Sequence, residues 1–182
     1  MRLMPRRPRP TSAGLYHVAA RATAGERLFR DEHDFLRFRT ELEQAVAKKD
    51  CICIAFCALA THYHVLLETG EDALPRTMKQ INERYARAYN ARYGRHGHAF
   101  ADRYLAVPIK DTEHLLTVFR YIALNPVEAG VCDHPADWPC SSYAATAALT
   151  DGCSFVDPEI VLGCCDDSVA MLRRFVEGDS GA

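Results

Sequence analysis

Residues 51–68, CICIAFCALATHYHVLLE, constrain this chain more than any other stretch. CICIAFCALA is apolar on both faces, the pattern of a central strand covered on both sides. THYHVLLE continues that strand or follows it in register. Side chains two apart on a strand share a face. His62 and His64 therefore project together, and Tyr63 points the opposite way. The fold has to bury a sheet and still present two imidazoles side by side on one of its faces.

The flanking sequence says what covers that sheet. GLYHVAARA, from Gly14, reads as a first strand. Asp31 can cap a helix in which Phe35, Leu36, Phe38, Leu42 and Val46 recur near the helical period, as far as Lys49. A second helix is expected from about Leu74 to Tyr93, with Gly94 as its C-terminal stop. YLAVPI, from Tyr104, reads as a strand. Asp111 or Thr112 then caps a third helix, which Pro126 is expected to terminate soon after Asn125. The order strand, helix, strand, strand, helix, strand, helix predicts an α+β fold, an antiparallel sheet with helices gathered on one face. A length of 182 residues suits one domain with tails. We divide it into a basic arm over 1–12 with Arg2, Arg6, Arg7 and Arg9, a domain over 13–150, and a C-terminal extension over 151–182 packed on the domain or trailing from it.

Composition narrows the class. No stretch approaches the roughly 20 uninterrupted apolar residues of a membrane span, so no membrane partner is expected. MRLMPRRPRP is basic but lacks the apolar centre of a signal peptide. There are 8 cysteines, no C-x-x-C pair, and Cys164 lies next to Cys165. Reduced, mostly buried thiols and a cytoplasmic location follow as expectations.

The chemistry-bearing residues fall into three groups. His62 and His64 are close enough to share one ion or one phosphate, and neutral imidazole is a common ligand for divalent metals. The same spacing also suits two ordinary histidines on a half-buried strand. In RYIALNP, Tyr121 and Asn125 are four apart and share a helical face. Two imidazoles and an amide oxygen could hold a divalent cation, with a phenol nearby to attack a phosphate. A packed aromatic and a helix-terminal Asn would look the same. Third comes a basic tract of Arg76, Lys79, Arg84, Arg87, Arg92, Arg95, Arg103 and Lys110, opposed within it only by Glu83 and Asp102. Tyrosines at 85, 89, 93 and 104 interleave with it. Cations neutralise phosphates and aromatic faces stack on unpaired bases, so nucleic acid is the favoured partner over a merely solvated helix face.

Taken in order, GLYHVAARA, THYHVLLE, GRHGHAFADRY, YIALNP and WPCSSY resemble the successive motifs of the REP-associated tyrosine transposases, a branch of the single-tyrosine HUH transposases. FVDPEIVLG and RRFVE are similar to the tails of some members. The resemblance implies a ferredoxin-like fold with the histidine pair on a central strand. It implies cutting and joining of hairpin or palindromic-repeat single-stranded DNA through a covalent 5′-phosphotyrosine link, with Mg²⁺ or Mn²⁺. Carried over, His62 and His64 become metal ligands, Asn125 an amide ligand and Tyr121 the nucleophile, with Tyr104 second choice and Tyr85 third. Relatives commonly carry Asn where Thr61 precedes the first histidine here. A non-catalytic DNA-binding regulator and a metal nuclease that uses water are the competing classes. Either a monomer or a homodimer would serve.

Overall fold

In the computed structural model, residues 10–23, 26–47 and 50–178 are described. The basic arm lies almost wholly outside the described residues. The first four strands and first two helices form one unit. Strand β1 (Gly14–Arg21) leads to helix α1 (Glu32–Val46), strands β2 (Cys51–Leu59) and β3 (His62–Thr69), helix α2 (Ala73–Arg92) and strand β4 (Leu105–Pro108). The sheet order is β2-β3-β1-β4, and each neighbouring pair is antiparallel. This βαββαβ arrangement with β1 and β3 at the centre is ferredoxin-like. The two strands of residues 51–69 are separate, joined through Ala60 and Thr61, with Leu59 paired to His62.

Local signals explain most of the boundaries. Asp31 caps α1, its carboxylate accepting from the Asp34 amide at 3.2 Å. Beyond α2, Gly94 adopts φ +59°, a backbone that favours glycine. Helix α3 (Thr112–Glu128) starts at Asp111, which accepts from the His114 amide at 2.8 Å. Its end corrects the sequence expectation, because Pro126 lies inside the helix. Proline removes one amide donor, yet the amides of Ala129, Gly130 and Val131 bond back to Asn125, Val127 and Pro126. The stop is Gly130, at φ +66°.

The helices also need a correction. α1 and α2 do gather on one face, where Phe38, Leu42, Met78, Ile81 and Tyr85 pack on Val18, Phe56, Tyr63 and Val65. α3 covers the other face, where Phe119 and Ile122 pack on Ile54, Cys57 and Leu66. The apolar run of β2 serves both layers. A bulge between Cys53 and Ala55 changes its alternation, so Cys53 and Phe56 face α1 and α2 while Ile54 and Ala55 face α3.

C-terminal elements lock onto the α3 side. A 3₁₀ turn (Pro135–Asp137) and short helices α4 (Tyr143–Thr146) and α5 (Glu159–Gly163) precede α6 (Val169–Glu177). Leu172 and Val176 are fully buried in the same cluster as Ile122. Arg120 on α3 donates through Nε to the carbonyls of Phe175 and Val176, at 3.0 and 3.2 Å. The outer edge of β2 is covered as well. Ala58 donates to Cys140, Ser142 to Phe56, and Asp157 to Cys53. All 8 cysteines are free thiols. Burial pushes the Cys51 thiol up to about 12 and raises Cys53 well above the ordinary thiol value, so they stay protonated.

Candidate active site

Alternation along β3 sorts its side chains. Tyr63 points into the α1/α2 layer, where it is fully buried and its hydroxyl donates to Asn82 Oδ1 at 2.6 Å. His62 and His64 point to the α3 side, with ring centroids 5.1 Å apart. Helix α3 then matches the strand step for step. Residues four apart on a helix rise by about 6 Å, and residues two apart on a strand by about 6.6 Å. Asn125 therefore meets His62 while Tyr121 meets His64. Asn125 Oδ1 lies 3.2 Å from His62 Nε2. The Tyr121 hydroxyl lies 3.4 Å from His64 Nε2. His64 and Asn125 are buried, whereas Tyr121 is 39 % exposed and open to a large ligand.

The pocket disfavours charge on its imidazoles. Burial, with His17 and His62 close by, lowers the His64 pKa to about 3. Burial lowers His62 too, partly offset by its hydrogen bond to Asn125. Neutral rings keep a lone pair for a cation. The donor set fits a divalent ion. Two ligand atoms about 2.1 Å from a metal and at right angles lie about 3 Å apart, close to the 3.2 Å between His62 Nε2 and Asn125 Oδ1. His62 Nε2, His64 Nε2 and Asn125 Oδ1 could thus occupy one side of a coordination shell.

Two neighbours were not singled out from sequence. His17 on β1 reaches diagonally across the sheet, its Nε2 3.0 Å from His64 Nδ1. Its ring also stands edge-on to Tyr121, centroids 6.0 Å apart. Arg21 pairs directly with His62 across the β1–β3 ladder and is exposed. Directly opposed residues share a face, so a guanidinium flanks the pocket. Odd-numbered alternation in GLYHVAAR was the available signal, but only the strand register says what those side chains meet.

The other tyrosines lie elsewhere. Tyr104 packs against the α1/α2 layer, across the sheet from the histidines. Tyr85 is buried in that layer, donating to the Leu28 carbonyl at 2.5 Å, and burial raises its pKa.

The basic tract divides. Arg92 bridges Asp31 and Asp34 at 2.6 and 2.7 Å, and Arg95 meets Glu26 at 2.5 Å. Arg84 bonds Gln44 and approaches Glu41 at 3.7 Å. Arg76 and Lys79 make loose, exposed pairs with Asp50 and Glu83. Arg87, Arg103 and Lys110 are exposed, without a carboxylate partner among the described residues. Most counter-charges come from α1 and the segments beside it, so the tract is less one-sided in space than in sequence. Asp31, His33 and Asp34 also cluster closely enough for a cation. Arg92 already binds both of those carboxylates, and its hydrogen bonds hold the Asp31 carboxyl below its ordinary range.

Comparison with known proteins places this geometry. The sequence family described as "Transposase IS200 like" matches residues 11–125. A solved REP-associated tyrosine transposase bound to a REP hairpin superposes with a TM-score of 0.67 at 17 % identity, covering 80 % of this chain and 86 % of that one. The tRNA(His) guanylyltransferase of Saccharomyces cerevisiae overlaps more loosely, with a TM-score of 0.43 at 12 % identity over 92 % of this chain and 78 % of that one. No curated protein sequence matches significantly. Among the described residues no helix is long and apolar enough to cross a membrane.

Proposed function

Because this chain belongs to the IS200-like transposase family, and so is a transposase acting on DNA, we propose that it cuts and rejoins single-stranded hairpin or palindromic-repeat DNA through a tyrosine-linked intermediate. The observation that carries the reading is the register of α3 on β3, which sets Asn125 beside His62 and Tyr121 beside His64. The solved relative bound to a REP hairpin supports hairpin DNA as the substrate class.

Mg²⁺ or Mn²⁺ would be held by His62, His64 and Asn125. When bound it would polarise the scissile phosphate and offset the charge that develops on it. The remaining work belongs to the side chains. Arg21, beside His62, offers a cation to the same phosphate. Tyr121 sheds its hydroxyl proton to water, which its exposure permits. Its oxygen bonds to phosphorus as the bond from phosphorus to the 3′-oxygen breaks, and that oxygen takes up a proton. The product is a 5′-phosphotyrosine link and a free 3′-hydroxyl. A second 3′-hydroxyl can reverse the step, so strands are joined without ATP. Arg87, Arg103 and Lys110 supply phosphate contacts along the DNA, and the exposed pairs of Arg76 and Lys79 can open to do the same. Arg84 shares its guanidinium with Gln44 and the buried Glu41. Arg92 and Arg95 remain with their carboxylates.

Incubation with end-labelled hairpin oligonucleotides and Mn²⁺, read on a denaturing protein gel, tests this. A labelled adduct is expected from the unaltered protein, and none from Tyr121→Phe, which should still fold and bind the hairpin. Cleavage without an adduct would indicate a nuclease that uses water. Binding without cleavage would indicate a regulator. An adduct that persists in Tyr121→Phe and maps to Tyr104 would move the nucleophile.

A further inference from the structure

We propose that His17 is a positioning residue. It accepts a hydrogen bond from His64 Nδ1–H and thereby keeps His64 Nε2 bare and turned towards Tyr121 and the metal. The inference rests on the reading of His64 as a ligand through Nε2.

The argument is one of donors and acceptors. A neutral imidazole has one N–H and one lone pair. His64 Nδ1 and His17 Nε2 lie 3.0 Å apart, so one of them carries the shared proton. If His17 donates, His64 must hold its own proton on Nε2, and its lone pair points away from the pocket. If His64 donates, Nε2 is free to meet a cation or to accept from the Tyr121 hydroxyl 3.4 Å away. Only the second arrangement lets β3 present two ligand nitrogens on one face. The partner of the far nitrogen sets the tautomer of a ligating histidine, as well as its ring orientation.

The surroundings favour this role over mere packing. His17 is anchored by the β1–β3 ladder, where its own Cα partner is Leu66 and that of His64 is Ala19. The contact is therefore diagonal, and a small alanine stands where a direct partner would crowd the ring. The His17 ring lies 5.1 Å from His64 and edge-on to Tyr121, so it braces both groups while standing behind them. His62 is held differently, with Thr61 Oγ1 3.0 Å from its Nδ1. Each ring of the pair thus has its own partner on the nitrogen away from Asn125 and Tyr121.

Two readouts test the proposal. Long-range proton–nitrogen NMR on the metal-free protein identifies which His64 nitrogen carries hydrogen, with assignment from His64→Asn. Calorimetric Mn²⁺ titration then compares the unaltered protein with His17→Leu and His17→Gln. We expect Nδ1–H on His64 in the unaltered protein. His17→Leu should abolish that preference and weaken Mn²⁺ binding by about tenfold or more. His17→Gln, whose amide oxygen can accept at the same place, should restore both. Nε2–H on His64 in the unaltered protein would overturn the proposal, as would a His17→Leu protein with unchanged tautomer and affinity. A failure of the underlying metal reading looks different: Mn²⁺ uptake would then be absent, or indifferent to His62→Ala, and the tautomer alone would decide the role of His17.

Discussion

The two faces of β3 are made from one eight-residue strand and have opposite economies. Tyr63 and Val65 are sealed against Phe38 and Tyr85, and the hydroxyls of Tyr63 and Tyr85 each have a partner, Asn82 Oδ1 and the Leu28 carbonyl. His62 and His64, one step along, face Tyr121 and Asn125 across bonds of 3.2 to 3.4 Å. The first face is closed. The second is polar, loosely bonded and open at Tyr121. Buried polar groups are usually well paired, and this loosely bonded set is the one the proposed function gives a ligand. On the proposed function, stability resides mainly on one side of the sheet and chemistry on the other.

The comparison predicts a separation of phenotypes, largest for the closed face. Phe38→Ala removes a fully buried ring that contacts Phe29, Tyr63 and Tyr85. It should cost about 3 to 5 kcal/mol, read as a lower denaturant midpoint, without selectively weakening Mn²⁺ binding in the protein that stays folded. His62→Ala should do the reverse, with cleavage lost, hairpin binding mostly kept and the midpoint changed far less. If both substitutions shifted stability equally, the division between the faces would be wrong.

Acid should affect the open face next. His64 has its pKa lowered from 6.5 to about 3 by burial and by His17 and His62. Between those values the unfolded chain binds more protons than the folded one, so unfolding becomes easier as pH falls below about 6.5. The loss should be on the order of 2 kcal/mol near pH 4.5, measured by urea unfolding with chelator present. His64→Asn should flatten that acid limb, and a limb of unchanged steepness would show that His64 is not the group being titrated.

What was legible in the sequence follows from which spacings are local. The pairs His62 with His64 and Tyr121 with Asn125 are set by strand and helix periods, so their shared faces could be read directly. The element order likewise predicted the antiparallel α+β sheet, and the family resemblance implied its ferredoxin-like form. Three features could not be read so. The bulge at Cys53–Ala55 is hidden because β2 is apolar on both faces. Pro126 looked like a stop, but its position inside α3 loses a single amide bond while the turn continues to Gly130. His17 touches His64 only because β1 lies beside β3, a register that no local period encodes. The pairing of the α2 charges was hidden for the same reason. Their partners, Asp31, Asp34 and Glu41, are many residues away along the chain.

The smallest expected effect separates the cations by their neighbours. Arg87 and Arg103 are exposed and have no carboxylate partner among the described residues. Arg92 is held by Asp31 and by the buried Asp34. A cation free to neutralise a phosphate releases a counterion on binding, and each such contact contributes about 0.7 to the slope of log affinity against log salt for single strands. Arg87→Gln and Arg103→Gln should therefore each lower hairpin affinity a few-fold and flatten that slope by about this amount, with little change in melting temperature. Arg92→Gln should lower the melting temperature, because it leaves the buried Asp34 carboxylate with a weaker partner, and should leave the salt slope nearly unchanged. Fluorescence anisotropy across a salt series, set beside thermal melts of the same three variants, reads both quantities. If Arg92→Gln flattened the slope more than Arg87→Gln, DNA would be recruiting the paired guanidinium away from α1. The basic tract would then act as one surface, and its ion pairs would be part of how the protein exchanges its own carboxylates for phosphates.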